Sequence, residues 1–280
     1  MAVTLAMIGF GEAALAFAPG LDASLIQFDI KPDRPELERV KRALSSEEAL
    51  AGAAAALSLV TADQALQAAT DAVAHLEPGA LWFDMNSVAP DTKRAASRMI
   101  EAAGGRYIDV AVMAPVHPAR TAVPLLASGP HAEDGATLLR AIGFTRVRVV
   151  EGPVGRASSI KMIRSVMVKG IEALTAECVL AADRAGVLDE VLASLDASPP
   201  PAAWATRADY NLDRMLEHGL RRAAEMEEVV KTLDALGTGS AMTRGTVLRQ
   251  REMGALGVTP PDGLAAKLAL LNSGGKAEAA

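Results

Sequence analysis

Hydrophobic and polar positions divide this 280-residue chain into two halves with different periods. In the first half, short apolar runs alternate with polar turns and Ala-rich stretches. Val3 to Ile8 is an almost unbroken apolar run ending in Gly9-Phe10-Gly11, the pattern of a strand buried on both faces. Glu12 to Phe17 is Ala-rich and helix-like, and Pro19-Gly20 stops it. Further strands are predicted at Leu25–Ile30, Leu57–Val60, Ala80–Phe83, Arg106–Val112, Val123–Ala127 and Arg146–Val150. Strands alternating with helices imply parallel β-α-β units with right-handed crossovers, so residues 1–155 are expected to form a doubly wound α/β sheet.

After Gly152-Pro153-Val154-Gly155 the period changes. Ile160, Ile163, Met167, Ile171, Leu174, Cys178 and Ala181 recur at helical spacing, which predicts one long helix over 156–185 with a single buried stripe, ended by Gly186. Ser198-Pro199-Pro200-Pro201 reads as a rigid break, and helices follow over 212–236 and 242–253. Residues 156–272 are therefore expected to be an all-α domain, joined to the sheet by the long interdomain helix, with 273–280 a frayed tail. The stripe is longer than so short a helical domain can cover, which predicts a homodimer built on helices.

Composition narrows the classes. Half of the residues are hydrophobic but only 3% are aromatic, so Ala, Val, Leu, Ile and Met must build the core. A net charge of −6 argues against a nucleic-acid partner, which needs a basic stripe, yet leaves room for an anion held by backbone N–H groups. The single cysteine, Cys178, permits no internal disulfide and is expected to be a small buried hydrophobe. No apolar run approaches about 18 residues free of charge, so no membrane segment is expected. The N-terminal run, broken at Gly9 and Gly11, reads as strand and turn rather than signal peptide, and a cytoplasmic protein is expected. No His, Cys and carboxylate cluster has metal-ligand spacing, so no metal is expected. His75 and His131 read as surface residues.

Gly9-Phe10-Gly11-Glu12-Ala13-Ala14 fits G-x-G-x-x-A, the Ala-tolerant dinucleotide fingerprint of Rossmann sheets. The motif alone is weak in a chain this rich in Ala and Gly. Its context strengthens it: a strand precedes, a helix follows, and Asp29 closes the next strand 29 − 11 = 18 residues beyond Gly11. Gly9 would permit the turn, Gly11 would admit a pyrophosphate, and Ala14 would let the helix press on the strand. Asp29, flanked by Ile30 and Lys31, would accept hydrogen bonds from the adenosine ribose. Asp29 favours NAD, because a 2′-phosphate meets a like charge, while Lys31 keeps NADP open. Glu12 opposes an anionic ligand unless it faces solvent.

The segment from Gly152 through Gly155 and Lys161 to Ser165 resembles the β-hydroxyacid dehydrogenase and 6-phosphogluconate dehydrogenase superfamily, which has a Gly-x-x-Gly turn, then a Lys on the interdomain helix and an Asn one turn later. Asp84-Met85-Asn86-Ser87-Val88-Ala89-Pro90 is similar to that family's substrate and nicotinamide loop, and Val60-Thr61-Ala62-Asp63 to the loop under the cofactor. Lys161 to Leu174 and Arg221 to Met226 resemble a branch with a distinct, poorly characterised helical C-terminal domain. The resemblance implies Lys161 as catalytic acid/base, Ser165 in the place of the Asn, Ser87 beside substrate or nicotinamide, and Val60, Thr61 and Ala62 along the cofactor. Physical chemistry supports Lys161: partial burial one to two turns into a helix favours the neutral amine, which can then exchange a proton with an alcohol or carbonyl. A surface lysine on an exposed helix face is the alternative.

Other segments depart from that family. Its Ser-Gly-Gly carboxylate cradle is replaced by residues 114–120, where Pro115 and Pro118 remove N–H donors. His117 or Arg120 would have to bind the anion instead; otherwise His117 is a loop residue without a role. Arg164 and Lys169 on the long helix and Arg222 on the later one, near His218 and Arg221, are candidate ligands for a small anionic substrate, or else solvated cations. The expected activity is hydride transfer between NAD or NADP and a small hydroxy acid or related alcohol or carbonyl. Imine reduction, a phosphogluconate-type reaction and a non-catalytic dinucleotide-binding regulator are the alternatives.

Overall fold

A computed structural model describes residues 3–197 and 203–273. The chain divides into two compact units, Met1–Val166 and Met167–Ala280, and the division falls inside the long helix rather than at its start.

The first unit is built on eight strands: β1 (Thr4–Ile8), β2 (Ser24–Phe28), β3 (Val40–Arg42), β4 (Ala55–Ser58), β5 (Leu81–Asp84), β6 (Arg106–Val112), β7 (Leu125–Ser128) and β8 (Val147–Val149). They lie in the order β3-β2-β1-β4-β5-β6-β7-β8. Its helices are α1 (Glu12–Phe17), α2 (Ser46–Leu50), α3 (Ala65–Ala72), α4 (Pro90–Ala102), α5 (Ala132–Ala141) and the start of α6 (Arg156–Ala185). Along β1, Leu5 and Met7 enter one apolar layer and Ala6 and Ile8 the other. Both faces are covered, as parallel sheets demand, and this is why the strands read as apolar runs rather than alternations. Strand order reverses between β1 and β4, which makes the carboxyl ends of those strands the place where such sheets hold ligands.

Two features differ from expectation. β3 was not anticipated: Val-Lys-Arg is an edge strand whose charges hide it from any apolar pattern and guard the edge. β7 runs antiparallel to β6, whereas parallel units were expected throughout. Residues 113–124 form a loop with a single 3-10 turn at Arg120–Ala122 and no crossover helix, which suffices for an antiparallel return.

The second unit contains the rest of α6 with α7 (Leu188–Asp196), α8 (Trp204–Leu236), α9 (Ala241–Gly254) and α10 (Leu264–Asn272). α8 starts well before the expected residue 212, since nothing from Trp204 onward breaks a helix. α7 and α10 were not anticipated; α10 is apolar almost all round and shows no stripe. α8 and α9 pack through Ala223, Val230 and Val247, and a Cβ on Gly219 would lie 2.3 Å from the Gln250 carbonyl, so the backbones touch there. Glu177 of α6 caps α9, accepting the N–H groups of Met242 (2.9 Å) and Thr243 (3.0 Å) and the Thr243 hydroxyl. Burial raises that carboxyl, but these bonds outweigh it and hold it below the usual range. Lys267 of α10 pairs with Asp209 (2.6 Å) and Asp213 (2.9 Å) of α8, which holds its amine above its ordinary value.

The expected stripe is buried only at its ends, where Ala181 is buried and Ile160 is half-buried against the sheet unit's apolar residues. Ile163 is 72% exposed, Met167, Ile171 and Leu174 are exposed, and Cys178 is exposed rather than the buried hydrophobe expected. The proline run at 198–201 and the tail from 274 lie outside the described residues; Ser273 closes α10. Among the described residues, no helix is long and apolar enough to cross a membrane.

Candidate active site

At the carboxyl ends of β1, β2 and β4 lies a cavity of about 540 Å³. Of the residues expected at the cofactor, Gly9, Gly11, Glu12, Asp29, Ile30, Lys31, Val60 and Thr61 line it, and so do Arg34, Ser46 and Gln67, which sequence alone does not single out. Gly9 has φ +90° and a Cβ there would lie 2.7 Å from the Leu59 carbonyl oxygen, so only glycine makes this turn. Gly11 is different: a Cβ would meet nothing within 4 Å, which leaves its front open to a ligand. Phe10 and Ala14 are fully buried, so they act through backbone and packing rather than side-chain contact. Ala13 packs on the core and Ala62 is exposed; neither lines the cavity.

Asp29 stands directly after β2, and its carboxylate is already in use. One oxygen accepts the Phe10 N–H (2.7 Å) and pairs with the Arg34 guanidinium (3.0 Å); the other accepts the Lys31 N–H (2.8 Å). The acid therefore ties the glycine turn to the end of β2 while Arg34 balances its charge. A glycine turn, an acid after the second strand and an open cavity at the switch point together fit a nicotinamide dinucleotide.

The loop after β5 carries Ser87. Met85, Asn86 and Val88 are buried around it, and Ser87 alone of these is exposed. Asn86 fixes the loop: its side-chain oxygen accepts the N–H of Val60, on the cavity wall (2.8 Å), and its amide nitrogen donates to Ser58 Oγ (2.9 Å) and Asp84 Oδ1 (2.8 Å). Tyr107 donates its hydroxyl to Asp84 Oδ2 at 2.6 Å, and burial, then the Asp84 charge, push that phenol well above its ordinary value.

On α6, Ala157 and Ser158 are buried, and Lys161 follows one turn on, half-buried, on the same side. Its ammonium donates to Ser87 Oγ at 2.5 Å. Two residues to which the resemblance gives separate roles thus meet across 74 positions of sequence. Ser165 spends its hydroxyl proton on the Lys161 carbonyl at 2.9 Å, within the helix. His117, Arg120 and Arg164 are exposed. Arg222 is half-buried on a cavity wall in the helical unit, and the Lys169 side chain lies outside the described residues. His131 is half-buried between Glu101 and Arg106. Among the described residues, no group of three or more His, Cys, Asp or Glu is placed to hold a metal.

The open, mainly parallel sheet with a glycine cradle at its switch point defines the NAD-binding dehydrogenase fold. Residues 23–149 match the NAD binding domain of 6-phosphogluconate dehydrogenase, and residues 182–253 match a domain of unknown function, DUF1932. The chain belongs to the family that joins these two domains. A conserved hypothetical protein from Sinorhizobium meliloti 1021 is 35% identical, with 98% of this chain and 97% of that one covered and a TM-score of 0.59. A conserved protein of unknown function, described as structurally similar to 3-hydroxyacid dehydrogenases, is 29% identical over 90% of this chain and 96% of that one, TM-score 0.56. An imine reductase from Myxococcus stipitatus in complex with NADP+ shares the fold at 17% identity, TM-score 0.76, over 96% of this chain and 99% of that one. An uncharacterised 28.5 kDa protein of Methanothermus fervidus is 28% identical over 41% of this chain, and the match spans 43% of that protein's length.

Proposed function

We propose that this protein is an NAD(P)-dependent oxidoreductase acting on a small hydroxy acid or a related alcohol or carbonyl. The 2.5 Å contact between Lys161 and Ser87 carries the reading, because the Ser87 loop is bonded through Asn86 to the wall of the glycine cavity. When bound, the dinucleotide supplies or accepts the hydride. The chain's part is to bind and orient it through Gly9, Gly11 and Asp29, and to move the proton. Lys161 exchanges that proton with the substrate oxygen, and Ser87 Oγ holds the amine in place and offers a second hydrogen bond. Cofactor fluorescence combined with turnover over a panel of hydroxy acids, carbonyls and imines tests the class. Binding with turnover is expected. Binding without turnover on any member would favour a regulator, a reading that draws support from the two prolines in the 114–120 loop.

Arg34 changes the cofactor preference read from Asp29 alone. With that acid neutralised, Arg34 and Lys31 on the cavity wall accommodate a 2′-phosphate, and NADP is expected to bind at least as well as NAD. Arg34→Ala should weaken NADPH by about 10-fold or more, the scale of one hydrogen bond to a charged group, and leave NADH nearly unchanged. Equal loss for both would remove the assignment. The exposed apolar residues Ile163, Met167, Ile171 and Leu174 of α6 support a homodimer, and a monomeric mass by light scattering at micromolar concentration would refute it.

A further inference from the structure

Beneath Ser87 and Lys161 lies a buried ion cluster that the proton-transfer pair does not use. Lys93, on α4, has no exposed surface. Its ammonium donates to the Asp84 carbonyl at 2.5 Å and to Asp84 Oδ1 at 2.9 Å, and lies 3.6 Å from Asp109 Oδ1. The two carboxylates lead to the two halves of the candidate site. Asp84 ends β5, and its Oδ1 also accepts the Asn86 N–H at 3.0 Å, so it anchors the turn that presents Ser87. Asp109, on β6, gathers the first turn of α6: its Oδ2 accepts the Gly155 N–H (3.0 Å), the Ser158 N–H (3.1 Å) and the Ser158 hydroxyl (3.0 Å). Lys161 stands one turn beyond.

One buried cation thus meets two buried carboxylates, and Asp109 Oδ1 has no hydrogen bond of its own. Such a cluster is a poor stability device, because apolar side chains of similar volume are often as stable. It is a good spacer, because the ammonium fixes the separation of the two elements that its partners hold.

We propose that Lys93 is a positioning residue that sets the Ser87 loop against the first turns of α6 and so keeps Lys161 on the Ser87 hydroxyl. The inference rests on reading Lys161 and Ser87 as the chemical pair, but its test needs no substrate. The full chain is treated with an amine-acetylating reagent, and the rate at Lys161 is read by peptide mass spectrometry against the exposed Lys41 in the same sample. Lys93→Met should raise the Lys161 rate at least threefold and leave Lys41 unchanged. NADPH affinity should stay within about twofold, since no residue lining the glycine cavity bonds to Lys93. Ser87→Ala should give the same rise, and the double variant should add nothing further, as two changes acting on one contact require. Should Lys93→Met fail to fold, Asp84→Asn/Lys93→Met, which removes one charge of each sign, is read in its place with the same expectation. A folded variant whose Lys161 reacts at the wild-type rate overturns the proposal, and so does additivity with Ser87→Ala. If neither variant folds, Lys93 is a stability residue and the proposal falls. Loss of a catalytic role for Lys161 would show in turnover, not in these rates, so the two failures are distinguishable.

Discussion

Lys161→Met is expected to slow turnover by about 10²–10⁴-fold, the usual contribution of a positioned acid or base, with dinucleotide affinity nearly unchanged. Methionine keeps the length and apolar stem of lysine, so packing at the start of α6 survives while the proton is lost. The cavity of Gly9, Gly11 and Asp29 does not include Lys161, so binding of the nucleotide and chemistry at the amine are separable. Steady-state kinetics with the wild-type protein's best substrate, alongside NADPH titration by fluorescence, measures both. A variant that keeps its rate on imines but loses carbonyls would move the assignment to imine reduction, in which a substrate protonated in solution to the iminium takes the hydride without an enzyme proton donor. A variant that keeps its rate on every substrate would remove Lys161 from the chemistry altogether.

Gly11→Val should abolish dinucleotide binding without unfolding the protein. The backbone at Gly11 has φ −88°, which any residue adopts, and the space in front of it is empty of protein atoms to 4 Å. A branched side chain there fills the place a pyrophosphate needs. The dissociation constant for NADPH is expected to rise about 100-fold or more, equivalent to about 2.7 kcal/mol. The thermal midpoint of the protein without ligand should hardly move. Gly9→Ala should do the reverse of a clean lesion: at φ +90° and 2.7 Å from the Leu59 carbonyl oxygen it strains the fold itself, by about 1–3 kcal/mol in denaturant unfolding. Wild-type NADPH affinity in a folded Gly11→Val protein would place the dinucleotide elsewhere.

The glycine cavity was legible because its determinants are local. A strand, a Gly-x-Gly turn and an acid after the next strand sit within a few dozen residues, and each has a backbone reason to be where it is. Arg34 was invisible for the opposite reason: it follows β2 in an irregular stretch, and only the folded loop brings its guanidinium back onto Asp29. The Lys161 and Ser87 pairing needed a family resemblance, since no periodicity relates a helix to a loop of another β-α unit. Lys93 could not have been found by pattern, because a lysine in the first turns of a helix with charged neighbours reads as solvent-facing. β3 and the reversal at β7 were missed because charged edge strands and loop returns carry no apolar signal. The stripe on α6 was found at the right spacing, yet spacing says only that a face is apolar, not what covers it.

A crystal structure of the protein with NADPH examines the proton-transfer assignment most directly. If it is right, the dinucleotide lies across Gly9, Gly11 and Asp29, and Lys161 Nζ and Ser87 Oγ flank the nicotinamide C4, with room for one substrate oxygen at about 3 Å from the amine. A nicotinamide ring turned away from Lys161, or a dinucleotide bound outside the glycine cavity, would contradict it.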